Sequence, residues 1–136
     1  MTPLLPEGWP RPSGYSNGVA AEGRMVFVAG QIGWTPDMVF EAEDFLGQLR
    51  QTLLNTLAVL AEADAGPEHI ARMTWYVTDR DEYIANLKGM GPIWRELMGK
   101  NYPAMACVEV SRLVEEKARV EIETTAVVPV GKGDRP

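Results

Sequence analysis

Ala104-Met105-Ala106-Cys107-Val108-Glu109-Val110 and Ala118-Arg119-Val120-Glu121-Ile122-Glu123-Thr124-Thr125-Ala126-Val127-Val128 flank the charged link Ser111 to Lys117. Both stretches alternate in polarity and are rich in residues that suit strands. Successive strand side chains point to opposite faces, so Met105, Cys107 and Glu109 share one face, as do Glu121 and Glu123 in the second strand. A hairpin centred on the link is the simplest pairing, and one register sets Cys107 opposite Glu121 and Glu109 opposite Arg119. Glu109 with Arg119 then reads as a cross-strand ion pair contributing roughly 0.2–1 kcal/mol, with no catalysis needed. Two glutamates at i and i+2 on one strand face are harder to explain as structure, since like charges there repel and Glu is disfavoured in strands.

Upstream of this pair the period changes. Leu46, Leu49, Leu53, Leu57 and Leu60 recur at spacings of three and four, the apolar stripe of an amphipathic helix that starts near Asp44 and stops before Gly66 and Pro67. Ile70 to Thr78 reads as a strand, after which Asp79 and Glu82 resemble a cap and its return partner. The helix they open contains Gly89, Gly91 and Pro92, which predicts a break near Met90 and a new segment from Pro92 to Met98. Nearer the N-terminus, Gly18 to Ala21 and Met25 to Gln31 read as two antiparallel strands turning at Gly23. Residues 1–12 hold four prolines and are expected to form an extended arm, and residues 130–136 a loose tail.

The resulting order is ββαβαββ, an α+β design with a mixed sheet and two helices packed on one of its faces. The opposite face carries too many apolar residues for open solvent, which predicts a homo-oligomer formed through it. At 136 residues, with 46% hydrophobic and 24% charged residues, the chain is the size of one globular domain. The net charge of −6, with scattered basic residues, argues against a nucleic-acid partner. One cysteine, Cys107, fits a reducing compartment and hence the cytoplasm. No apolar run is long enough for a membrane span, and no signal peptide is evident. His69 stands alone, so neither a histidine metal cluster nor a Ser-His-Asp arrangement can be assembled, and Gly30 with Gly33 lacks the Lys of a phosphate loop.

Four segments carry a family resemblance: Tyr15-Ser16-Asn17-Gly18-Val19, Val26-Phe27-Val28-Ala29-Gly30-Gln31-Ile32, Tyr102 through Val110, and Val120-Glu121-Ile122-Glu123. In order and spacing they resemble the signature blocks of the RidA/YjgF family over essentially Pro10 to Val128. The resemblance implies a chorismate-mutase-like homotrimer with a central barrel and small-molecule clefts at the subunit interfaces. It further implies a hydrolytic deaminase of enamines and imines that needs no cofactor and no metal. By position Glu121 matches the glutamate that orients or activates water, Cys107 a cysteine beside the site, and Tyr15 and Gly30 residues lining the cleft. Cys107 also reads as a small buried hydrophobe, the usual state of a free cysteine, and Tyr15 equally as packing.

Position 105 departs from the deaminase branch. There an arginine holds the substrate carboxylate by two parallel hydrogen bonds, and here Met105 stands in its place. The family's asparagine in the second helix has no clear counterpart either. Amino-acid-derived imines are therefore poor candidates, and Met105 with Trp34 suggests a flatter, less charged ligand. Arg95, Arg112 and Arg119 are the other arginines to weigh, and nothing in their spacing aims them at Met105. Met105 also fits core filler in a trimer that binds or regulates without catalysis, the competing functional reading.

Overall fold

The structure, a computed structural model, describes residues 1–130, so all but the first residue of the expected tail at 130–136 lies outside the described residues. Strands β1 (Thr2–Leu4), β2 (Gly18–Ala20) and β3 (Arg24–Ile32) precede helix α1 (Phe45–Glu62). A short 3-10 turn at Pro67–His69 leads into β4 (Ile70–Val77), helices α2 (Arg80–Ala85) and α3 (Leu87–Met98), then β5 (Ala104–Glu109) and β6 (Val120–Val128). The mixed α+β architecture agrees with the sequence pattern. Among the described residues no helix is long and apolar enough to cross a membrane.

The main sheet runs β3-β6-β4-β5, with β4 antiparallel to β6 and parallel to β5. This corrects the hairpin read from the Ser111 to Lys117 link, because β4 lies between the two strands expected to pair. Strand β4 is buried along most of its length, so the sheet centre, with a neighbour on each side, is the place that satisfies its backbone. A helical crossover through α2 and α3 then delivers β5 parallel to it, as parallel neighbours require. The N-terminal pairing also differs. Strand β2 takes β1, from the proline-rich arm, in a separate two-stranded sheet, while β3 takes β6. Pro3 lacks a donor and is tolerated in β1 because this short strand has one partner only. Gly23, at φ 149, sits where a Cβ would come within 2.2 Å of the Val128 carbonyl oxygen, so the expected turn glycine instead fits β3 against β6.

Asp44 caps α1 by accepting from the Gly47 N–H at 3.3 Å, and Leu49, Leu53 and Leu60 of that helix are fully buried against Met73, Trp75, Val120 and Ile122 of the sheet. Burial of each such side chain contributes roughly 1.5–3 kcal/mol. Asp79 likewise caps α2, accepting from the Glu82 N–H at 3.1 Å. The helical break falls at Asn86, not near Met90, and Pro92 sits inside α3. Asn86 is both the C-cap of α2 and the N-cap of α3, its carbonyl accepting from Gly89 and Met90. Met90, Trp94 and Met98 bury one face of the continuous α3, which offsets the hydrogen bond that Pro92 removes. Gly89 lets α3 approach α1, for a Cβ there would meet Leu46 Cδ1 at 2.5 Å.

Among the described residues the second face of the sheet carries no helix. Phe27, 72% exposed, lies on it with Met25 and Val108, the apolar open face read from the sequence.

Candidate functional site

Strand register decides which site residues meet. Trp75 of β4 pairs with Cys107 on one side and Ile122 on the other, so these three point to the helix-covered face. Tyr76 pairs with Glu121 and Val108, which therefore point to the open face. Within one chain, Cys107 and Glu121 lie on opposite faces of the sheet. The thiol and carboxylate that the hairpin register made neighbours are thus apart. Glu109 is also separated from Arg119: its Oε1 accepts from the Arg80 N–H at 2.8 Å, while Arg119 bonds Glu82 Oε2 at 2.7 Å and the Glu43 carbonyl at 2.6 Å.

On the open face the two glutamates have different surroundings. Glu123 accepts a 2.7 Å hydrogen bond from the Tyr76 hydroxyl, and that bond, with burial and the charges of Glu123 and Glu121, raises the Tyr76 pKa. No hydrogen bond or ion pair reaches the Glu121 carboxylate among the described residues. Gly30 lies against it, in the bulge that shifts β3 relative to β6 between Val28 and Gln31. A Cβ on Gly30 would come within 2.5 Å of Glu121 Oε2. Bulges re-aim side chains and backbone, and here the bulge leaves the acid one unobstructed backbone wall.

On the helix-covered face, Met105 and Tyr15 line a common cavity of about 490 Å³ between β4, β5 and α3, within the range of small-molecule sites. Tyr15 is placed there by Ser16, whose N–H donates to the Pro103 carbonyl at 2.9 Å and whose hydroxyl donates to the Tyr102 carbonyl at 2.6 Å. Trp75, Tyr83, Trp94 and Tyr102 form its aromatic walls, with Trp94 stacked on Tyr102 at 6.4 Å and 14° and tilted against Trp75 at 6.3 Å. The Trp75 indole N–H is buried without an acceptor. Trp34, expected to flatten the cleft, packs instead on Phe40 at 5.9 Å.

Cys107 is half-buried at the edge of the core, beside Tyr83. Burial pushes its thiol upward, against a smaller lowering by the Tyr83 hydroxyl, and burial with the neighbouring sulfur pushes the Tyr83 phenol up to about 12. Both groups are protonated near neutrality, so Cys107 is packing and a weak polar contact and no thiolate nucleophile.

Sequence reasoning did not assemble this cavity wall. Arg95 lines it together with Met105, although spacing along α3 did not aim it there. The aromatic set is dispersed over β4, α2, α3 and the link before β5, and only the crossover assembles it.

A mixed four-stranded sheet with helices on one face, a bulge glycine under a free carboxylate and an aromatic cavity at the β5 edge define a class of small α+β proteins. The sequence profile described as Endoribonuclease L-PSP matches residues 10–128. The chain belongs to this family, that of the RidA/YjgF proteins. It is 37% identical to a RutC family protein of Synechocystis over 123 residues, 88% of this chain and 91% of that one. It is 33% identical to the 2-iminobutanoate/2-iminopropanoate deaminase of Salmonella typhimurium over 105 residues, 77% of this chain and 80% of that one. Among solved structures, the Rid family protein YyfB of Yersinia pestis, of unknown function, superposes with a TM-score of 0.83 at 30% identity, covering 93% of this chain and 98% of that one.

Proposed function

We propose that this protein is a cytoplasmic, cofactor-free hydrolytic deaminase of an enamine or imine that is not a typical amino-acid-derived imine. One observation carries the reading: Glu121 is a carboxylate without a hydrogen-bond or ion-pair partner among the described residues, seated against a glycine whose missing side chain makes room for it. In the reaction, water adds to the imine carbon as Glu121 accepts its proton. Return of that proton to nitrogen gives a carbinolamine, whose hydroxyl proton then passes to nitrogen as the C–N bond breaks, giving a carbonyl compound and ammonia. The deaminase named among the relatives supports this class of reaction.

One chain holds the two halves of the site on opposite sheet faces, so the reading requires a second copy. We place the chain in a homotrimer that buries Met25, Phe27 and Val108 and brings Glu121 and Gly30 of one subunit to the cavity of Tyr15 and Met105 of the next. Burying such a face is also the cheaper arrangement for its exposed apolar side chains. The acidic balance, −6 overall, weighs against RNA as the substrate.

Ammonia release from a panel of imines without an α-carboxylate, read for the wild type and Glu121→Ala, tests the proposal. Gly30→Ala refines it. The new methyl displaces the acid, which is the mobile end of a side chain, so turnover is expected to fall at least about tenfold while the melting temperature moves little. Unchanged turnover in Gly30→Ala would detach this glycine from the reaction. Met105 favours the second reading, a non-catalytic binder, which ligand-induced thermal stabilisation without ammonia release would establish.

A further inference from the structure

The cavity that holds Met105 has a cation on its opposite wall. Arg95, in α3, is the single charged residue of its described lining, and no ion pair or side-chain hydrogen bond engages it among the described residues. Its neighbour in sequence, Glu96, is taken by Arg50. The exposure of the lining gives the cavity a direction: Leu53 and Trp75 close the inner end, while Tyr15, Leu87 and Arg95 are exposed at the mouth. A planar guanidinium beside aromatic walls can form two parallel bonds to a carboxylate whose ring lies against those walls.

We infer that Arg95 is the anion-gripping residue of this cleft, and that the ligand is a planar aromatic or conjugated molecule bearing a carboxylate at the end remote from the reacting carbon. The inference rests on the imine-hydrolase reading only for the word reacting; the binding claim stands on the cavity. In the arginine-bearing branch the cation stands on β5, and here β5 offers a thioether while the positive charge stands on the helix across from it. That exchange moves the charged end of the ligand to the mouth and leaves the interior to flat apolar surface.

Isothermal titration of the full chain with 2-naphthoate and with uncharged 2-naphthamide tests this. The wild type is expected to bind the carboxylate on the order of tenfold tighter than the amide at low salt. Arg95→Ala should abolish that preference while leaving amide affinity unchanged, Arg95→Lys should restore part of it, and Arg112→Ala should keep it whole. Equal binding of both probes by the wild type, failure of both to bind, or a preference that survives Arg95→Ala overturns the inference. Ammonia release by the same preparations separates the two proposals. An Arg95-dependent preference in a protein that turns over no imine rejects the hydrolase alone, and Glu121-dependent turnover without such a preference rejects the role of Arg95 alone.

Discussion

Glu121→Ala is expected to lower ammonia release by roughly 10²–10⁴-fold, the usual contribution of a positioned acid or base. The carboxylate lies partly exposed on the open sheet face, and no hydrogen bond or ion pair reaches it among the described residues. Its removal therefore breaks no hydrogen bond or ion pair among the described residues, and stability should change by no more than about 0.5 kcal/mol, as for a surface substitution. Glu123 provides the internal comparison. It is engaged by Tyr76 at 2.7 Å, so Glu123→Ala acts on sheet packing and cannot be rescued by the same logic. Glu121→Gln keeps the shape while removing the basic oxygen, and it should lose nearly as much rate as alanine. Equal turnover by wild type and both Glu121 variants, all folded alike, would take this residue out of the chemistry.

Met105→Arg is expected to raise kcat/KM for 2-iminopropanoate about a hundredfold or more. Charge-assisted hydrogen bonds contribute about 1.5–3 kcal/mol each, and a bidentate pair supplies two of them. Position 105 faces the cavity with its side chain partly buried against the core, so the arginine stem can run along the apolar wall while its fork reaches the ligand. Most of the gain should enter through KM, because the carboxylate is held alike in the ground and transition states. A steady-state comparison of the two proteins on this substrate reads it. If the folded variant gains nothing, the methionine is not what excludes small carboxylate-bearing imines.

Much of the element content was legible because it depends on periodicity. The leucine spacing marked α1, and the Asp44 and Asp79 caps stand where their side chains predict. Strand partners were less legible, since alternation tells which residues share a face and nothing of which strand lies beside them. Cys107 and Glu121 were paired through a short link, whereas the buried β4 claims the place between their strands. Pro92 misled in a similar way. The local penalty favoured a break, and the packing of Met90, Trp94 and Met98 on the core overrode it. In the site, Glu121 and Gly30 were found through family resemblance and are in contact. Arg95 was weighed but could not be aimed at the cavity, because its position there depends on where α3 lands across the sheet.

The central claim is that two half-sites, held apart on opposite faces of one sheet, become a single site only between subunits. Light scattering on the eluting, ammonia-releasing protein measures this most directly. The account predicts a molar mass three times that of the 15.0 kDa chain, and an active species with the mass of one chain would contradict it.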